Sequence, residues 1–407
     1  MADSFGNTGG GEVMVGYLAR ELKKRHNVAV VTAGTGETHR AVWKGIDMYH
    51  IRSEYHPRLR PALSIVNPAT IRDIQRAMKS FQPDVVHAWN VHHHLGYESL
   101  RIAARHAPVV HTSQDALAFC YTKFHCWIDP QNISGPQAEP RAKPERCRNC
   151  RELFWSFPVR NRLVRMYLRH SVSIPAAVSR ALAEGLVANG LPKPRVVHNG
   201  IPPDDFLSGD SAFQEVSDGW GLGRGPAILA GGRLSHFKGH ERALRAFHRA
   251  AANQPDARLL VMGGYGWYGE RLARIAADLG ISNQVKFLGL VSRDAVAGVL
   301  NRAAAVLTLS LYLDPFPTMN LEAMAASRAV LGTCYGGTPE AVEHGVTGYI
   351  VNPYDDAATA DRIAGILSDP DLAARLGKAG RERMLECFSV DRMAADYESI
   401  YDASLAD

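Results

Sequence analysis

Two carboxylates eight positions apart bracket a Pro-aromatic turn in Ser310-Leu-Tyr-Leu-Asp314-Pro-Phe316-Pro317-Thr318-Met319-Asn-Leu-Glu322-Ala-Met324-Ala. The turn leads into a short apolar helix, so several backbone N–H groups lie without helical partners at its N-terminus. There the helix dipole attracts an anion such as a diphosphate. Glu322, inside that helix, can accept two hydroxyl protons at once, which suits a ribose diol. Asp314, ahead of the turn, can accept one hydroxyl from a sugar. A plainer reading makes Asp314 a helix cap and Glu322 a surface residue.

A second segment, Gly231-Gly232-Arg233-Leu-Ser-His-Phe-Lys238-Gly239, follows an apolar run and precedes a helical pattern. Its tip therefore falls at the carboxyl edge of a sheet, where α/β folds bind ligands. Two cations five apart on such a loop can grip two phosphates and neutralise a leaving diphosphate; the alternative is a solvated basic loop. A third segment, Val261-Met-Gly263-Gly264-Tyr-Gly266-Trp-Tyr-Gly269-Glu270, contains G-x-G-x-x-G in form only. Where a dinucleotide fold carries an acidic residue for ribose this chain has Lys286, so the segment reads as a nucleotide-facing loop.

Asn90 and the run His92-His93-His94 follow one apolar strand, and Gln114-Asp115 follow another. Successive residues on an extended chain point to opposite sides, so the three histidines cannot all ligate one metal. Contact of one of them with an acceptor molecule and plain surface exposure are the two readings. Of six cysteines, Cys334 and Cys387 stand alone and read as small core residues. Cys120, Cys126, Cys147 and Cys150 share one segment ending in C-x-x-C, the spacing of a structural Zn2+ site in a reducing compartment. Unligated thiols are the alternative.

These groups need a scaffold that brings loops to one sheet edge, and the chain supplies two βα series. The first runs through strands near Val28–Thr32, Val85–Trp89, Val109–Thr112 and Ser171–Ser179, with a helix over Arg180–Asn189. The second runs through strands at Ala227–Ala230, Arg258–Met262, Val285–Leu288, Ala305–Leu309 and Ala329–Thr333. Its helices lie over Glu241–Ala252, 270–279, 294–302 and Leu321–Ala326. Strands alternating with helices give parallel sheets covered on both faces. The polar stretch Pro202–Gly225 between the series reads as a linker. One feature is odd: the loop Gly9-Gly10-Gly11 opens a helix with only eight residues before it, so the first strand is either very short or missing, and we favour missing.

Length and composition fit this two-domain picture, with 407 residues, 46% hydrophobic and 21% charged. The longest apolar stretch, Ala303–Leu313, falls well short of the roughly 20 residues a membrane span needs. No signal peptide is visible, so a cytoplasmic protein is expected. A net charge of +5 is too mild to argue for nucleic acid. Between Arg141 and Arg169, however, nine Lys or Arg residues face only Glu145 and Glu152. That region is a solvated helix face or a peripheral contact with an anionic leaflet.

The three chemistry-bearing segments, in this order, resemble glycosyltransferase family 4 of the retaining GT-B enzymes. His198-Asn199-Gly200-Ile201, Gly336-Gly337-Thr338-Pro339-Glu340 and Glu343-His-Gly345-Val-Thr-Gly348 add to the resemblance, which covers essentially the whole chain. It implies two Rossmann-like domains facing across a cleft: an acceptor domain over 1–203 and a donor domain over 204–387. The last helix, within 388–407, would pack back on the first domain. The family's E-x7-E donor pattern reads Asp314-x7-Glu322 here, one methylene shorter at its first acid. Carried over by motif, Arg233 and Lys238 hold the diphosphate, Glu322 holds the ribose, and Asp314 faces the sugar. Gly232, Gly264 and the stretch Phe316, Pro317, Thr318 and Met319 line the donor, with Gly10 and Gly11 giving close backbone approach opposite it.

Relatives usually carry His-Asp where this chain has Gln114-Asp115. A Gln can position a sugar hydroxyl but cannot supply a protonated imidazole. Asn90, His92, His93, Gln114 and Asp115 are thus the acceptor-side candidates. Some members also carry a Cys-rich insertion like this one. The expected reaction moves a sugar from a UDP- or GDP-sugar to an acceptor hydroxyl by front-face displacement, with no cofactor required. Two rivals stand beside it: a non-hydrolysing sugar-nucleotide epimerase, for which no paired acid and base are evident, and a non-catalytic binding subunit.

Overall fold

The structure is a computed structural model and describes residues 1–5, 10–120, 159–207 and 225–406. The described residues form two compact units. One holds residues up to 200 together with the helix from Val390, and the other holds the described part of 201–389.

In the first unit, β1 (Ala29–Gly34) pairs in parallel with β3 (Ile46–Arg52), and β2 (His39–Trp43) adds an antiparallel edge. A second parallel run follows the order β4 (Val86–Ala88), β5 (Val109–Ser113), β6 (Ile174–Ala177), β7 (Arg195–Val196). Every residue of β5 is buried, as expected of a strand covered on both faces. Residues Met1–Asp3 lie between the two runs. On one side Ala2 N–H donates to Val31 O at 3.0 Å and Ala33 N–H to Asp3 O at 3.3 Å. On the other, Trp89 N–H donates to Met1 O and Asp3 N–H to Asn90 O, both at 2.9 Å. Met1–Asp3 thus take the place between the two runs that a first strand would occupy, through a single parallel bridge of Ala2 with Thr32. The β2–β3 hairpin has no counterpart in the sequence reading.

The helix Val390–Ala406 belongs to this unit and packs on the helix Gly10–Leu22. Tyr397, fully buried, accepts from Thr112 Oγ1 at 3.0 Å, and Tyr401 Oη lies 2.7 Å from His87 Nδ1. At its exposed end Arg25 and His26 both meet Glu398, at 2.9 and 2.7 Å.

The second unit has six parallel strands: β8 (Ala227–Gly231), β9 (Arg258–Met262), β10 (Val285–Gly289), β11 (Ala305–Thr308), β12 (Ala329–Thr333) and β13 (Gly348–Val351). Their spatial order is β10-β9-β8-β11-β12-β13. The direction of winding reverses between β8 and β11, and the crevice outside the carboxyl ends of those two strands is where doubly wound sheets bind ligands. Apolar strand runs pack against Leu244, Phe247, Leu272, Ile363 and Leu376 from the flanking helices. Burying each such side chain contributes about 1.5–3 kcal/mol. Two helix starts differ from the sequence reading. The helix expected from residue 270 begins at Gly266, so Gly266 and Gly269 lie in its first turn and not in a loop. The helix expected from Leu321 begins at Thr318, directly behind Pro317.

Candidate active site

The loops after β8 and β11 meet at the switch point. Gly239 sits in the left-handed region at φ 74°, and a Cβ there would overlap the carbonyl oxygen of Leu309. Leu311 N–H donates to Phe237 O at 2.7 Å, which closes the contact. This approach brings Lys238 from the first loop onto Asp314 from the second, with Nζ against Oδ2. Ser310 Oγ donates to the same carboxylate oxygen at 2.9 Å. Lys238 Nζ also lies 5.4 Å from the centroid of the Tyr312 ring.

Burial alone would depress the Lys238 ammonium, but Asp314 and Tyr312 beside it carry its pKa above the ordinary lysine value. Lys238 is thus a fixed positive charge and not a base. Burial and then the Asp314 charge push the Tyr312 phenol up, so it remains a neutral donor.

A third loop buttresses this pair. Gly336, at φ 68°, passes so close to Asp314 that a Cβ would overlap the Asp314 carbonyl oxygen. Gly337 N–H donates to that same oxygen at 2.9 Å. Beneath it runs a buried polar chain, with Thr308 Oγ1 donating to Asn320 Oδ1 at 2.7 Å and Asn320 Nδ2 to Thr338 Oγ1 at 3.3 Å. It ties the helix Thr318–Ala325 to β11 and to the 338–341 turn. That helix starts behind Pro317 with Thr318 and Met319 half-buried at its tip and Phe316 buried below. Met319 also reaches back to Gly231, its Cε 2.8 Å from where a Cβ would stand.

Glu322 is buried on the same helix, and its Oε1 lies 3.3 Å from Arg293 NH1. Burial pushes its carboxyl up from the ordinary range, and the Arg293 charge opposes that rise. Arg233 is exposed on the β8 loop, and its carbonyl oxygen lies 3.3 Å from Nε2 of buried His240. Gly232 N–H donates to Met262 O at 3.0 Å, and Gly264 stands exposed beside Leu290. The second unit thus gathers every donor-side candidate except Gly10 and Gly11. Those two open the helix Gly10–Leu22 of the first unit, and a Cβ at Gly11 would meet nothing within 4 Å.

In the first unit the acceptor-side candidates gather at the carboxyl ends of β4 and β5. Asn90 Nδ2 donates to Asp115 Oδ2 at 3.4 Å, and Asn90 Oδ1 accepts from Gln114 N–H at 3.3 Å. His92 Nε2 lies 3.6 Å from Asp115 Oδ2. Gln114 and Asn199 exchange amide hydrogen bonds at 3.1 and 3.3 Å. The sequence placed the three histidines on extended chain, but residues 92–95 form a turn. Its cause is Asp3, whose buried carboxylate accepts from His93 N–H and, at 2.8 Å each, from His94 and Leu95 N–H. The side chains diverge, with His93 Nε2 2.9 Å from Arg60 NH2 and His94 Nδ1 3.1 Å from Ser53 Oγ. Burial pushes the Asp3 carboxyl up to about 7 against these three donors.

Asp3, Asn199, Ser310, Tyr312 and Arg293 are the residues that sequence reasoning missed as site components. Asp3 stands 90 positions from His93 and Arg293 stands 29 from Glu322, so no local spacing signals either pairing. Cys120 is buried, while Cys126, Cys147 and Cys150 lie outside the described residues. No group of metal-ligating side chains occurs among the described residues.

The sequence matches two family models, one after the other along the chain. Residues 8–205 match the model described as Glycosyltransferase Family 4, and residues 217–383 match Glycosyl transferases group 1. The chain belongs to the family 4 glycosyltransferases. Among its relatives, the D-inositol 3-phosphate glycosyltransferase of Streptomyces avermitilis is 34% identical over 222 residues, 52% of this chain and 47% of that one. A GDP-mannose-dependent alpha-(1-6)-phosphatidylinositol monomannoside mannosyltransferase of Mycolicibacterium smegmatis is 32% identical over 193 residues, 46% of this chain and 50% of that one. The match thus spans about half the length of these curated relatives. Anabaena HepE, solved in complex with UDP and glucose, has a TM-score of 0.72 at 19% identity, covering 99% of this chain and 98% of that one. That likeness shows the GT-B fold, with two Rossmann-like domains. In this family 4 chain no described helix is long and apolar enough to cross a membrane.

Proposed function

We propose that the chain is a retaining glycosyltransferase that moves a sugar from a nucleoside diphosphate to an acceptor hydroxyl. The observation that carries this reading is the convergence of Lys238, Asp314 and the helix that holds Glu322 on one switch-point crevice. Glu322 accepts from the ribose hydroxyls, and the helix N-terminus with Arg233 and Lys238 faces the diphosphate. A bound diphosphate competes for Lys238, and its arrival frees Asp314, still held by Ser310, to accept a sugar hydroxyl.

In the transfer step the bond between the anomeric carbon and the diphosphate oxygen breaks. The acceptor oxygen bonds to the same face of that carbon, and its proton passes to the leaving diphosphate. Lys238 and Arg233 stabilise the charge that develops there, with no metal ion or cofactor required. UDP- and GDP-sugars are the proposed donors: UDP and glucose are bound in the similar HepE structure, and the M. smegmatis relative is named as GDP-mannose-dependent. The first unit, through Asn90, His92, His93, Gln114 and Asp115, receives the acceptor.

The test is to incubate the protein with UDP-glucose and with GDP-mannose, without acceptor, and follow the anomeric protons by NMR before mutarotation. Slow release of the α-sugar with one donor supports retention. Release of the β-anomer contradicts it, and no turnover of either donor by a nucleotide-binding protein favours the non-catalytic reading.

Peripheral contact of the 141–169 region with an anionic leaflet is a further part of the proposal. Of that region, the helix Arg160–His170 presents Arg162, Met166 and Arg169 on its exposed side. Co-sedimentation with phosphatidylserine vesicles but not with neutral ones supports the contact, and equal behaviour with both removes it.

A further inference from the structure

We infer that Arg293 is a positioning residue for nucleotide recognition, holding Glu322 so that its carboxylate can accept from a ribose. The inference rests on the assignment of Glu322 to the ribose made above. A carboxyl as buried as Glu322, with a side chain 7% exposed, is driven toward its neutral form. A neutral acid has a donor on one oxygen and cannot accept two hydroxyl protons in the way a carboxylate can.

Arg293 is the one ion-pair partner of Glu322 among the described residues, its NH1 3.3 Å from Oε1. It engages one oxygen and so directs the other to a single side. The guanidinium is itself held in place. It lies 5.4 Å from the centroid of the Phe206 ring, and Phe206 is buried on the turn Pro203–Phe206.

The position of Arg293 is informative as well. It is the first residue of the helix Arg293–Arg302, whose cap, Ser292, makes no side-chain hydrogen bond to the helix. A cation in the first turn of a helix opposes the helix dipole, so the helix itself gains nothing from an arginine there. What the side chain gains is on the other side, at Glu322. With 27% of its side chain exposed, Arg293 is open to solvent and not part of the packed core.

The experiment is calorimetric titration of wild type, Glu322→Gln, Arg293→Gln, Arg293→Met and Arg293→Lys with UDP, GDP and their 2′-deoxy forms. Wild type should prefer the ribonucleotide it binds over the deoxy form by about 10-fold, the effect of one hydrogen bond to a charged group. Arg293→Gln and Arg293→Met should lose most of that preference while binding the deoxy form as wild type does, and Arg293→Lys should restore much of it. In turnover the same variants should raise donor KM more than they lower kcat. Methionine puts an unbranched apolar chain beside the Phe206 ring where the guanidinium lay, so a charge-free variant with that packing is available even if the glutamine variant melts. If the charge-free variants keep the full preference while Glu322→Gln loses it, Arg293 has no such role and the ribose assignment stands. If Glu322→Gln also keeps the preference, both are overturned.

Discussion

Both units place loops at the carboxyl ends of parallel strands, yet they equip that edge with different chemistry. In the second unit the loops are joined by charge: Lys238 with Asp314, and Arg293 with Glu322. In the first unit the corresponding contacts are mostly neutral, with Gln114 and Asn199 exchanging amide bonds and Asn90 reaching Asp115. The difference matches the two tasks proposed for the units. A leaving diphosphate carries charge that must be met by fixed opposite charge in a site held rigid beforehand. An acceptor hydroxyl needs only donors and acceptors at the right distance.

Individual glycines also differ in how closely they are packed. Gly239 and Gly336 permit backbone approaches that no side chain would allow, whereas Gly11 faces open space. Gly239 and Gly336 fix the edge of the second unit, and in the first unit hydrogen bonds to Asp3 hold the turn that close-packed Gly96 follows.

The contrast is open to direct attack. Lys238→Ala should lower kcat by roughly 100- to 1000-fold, the usual cost of removing one preorganised contact to developing charge. Steady-state turnover reads it, and a variant with unchanged kcat would remove the charge argument for the second unit. Gly239→Ala should destabilise the protein by about 1–3 kcal/mol, because alanine is strained at φ 74° and its Cβ meets Leu309. Gly11→Ala should leave the denaturant midpoint nearly unchanged, so equal shifts in the two variants would contradict the difference in packing at these two glycines. Smallest is the effect of Gln114→Ala, which removes a neutral amide pair with Asn199. About 1 kcal/mol, or roughly five-fold in acceptor KM, is expected, with donor binding unaffected. A loss as large as that of Lys238→Ala would mean that the first unit also carries the chemistry.

The second unit was the more legible in sequence, and the reason is physical. Its strands are covered on both faces, so they read as short apolar runs such as Ala227–Ala230 and Ala329–Thr333. Those runs sit within one or two residues of the strands found. The hairpin of β2 and β3 lies at an edge where most β2 residues are exposed, so it shows no such run. The helix Pro68–Phe81 also has no counterpart in the sequence reading, although Asn67 caps it and Pro68 occupies its first position. There the start signal is present, but only Thr70, Ile74, Ala77 and Met78 are buried. So narrow an inner face is easily hidden among the polar and charged residues that separate its members.

The candidate site residues followed the same division. Arg233, Lys238, Asp314 and Glu322 announce themselves because each loop carries its own local pattern. Arg293 and Asp3 act across 29 and about 90 positions, and only the folded chain brings them to their partners. The start of the helix Thr318–Ala325 illustrates the middle ground. Pro317 marked a turn, but only the structure shows that the helix begins at Thr318 with no side-chain cap at Pro317.

The central claim is that the second unit is built to bind a nucleoside diphosphate. It is tested most directly by thermal unfolding in the presence of UDP, GDP, ADP and dTDP and their sugar conjugates. A ligand at 100 times its Kd adds about 2.7 kcal/mol to the native state, which a melting curve resolves easily. Stabilisation by one nucleotide class, weakened in Lys238→Ala and Glu322→Gln, is the predicted result. No stabilisation by any of them would contradict the claim.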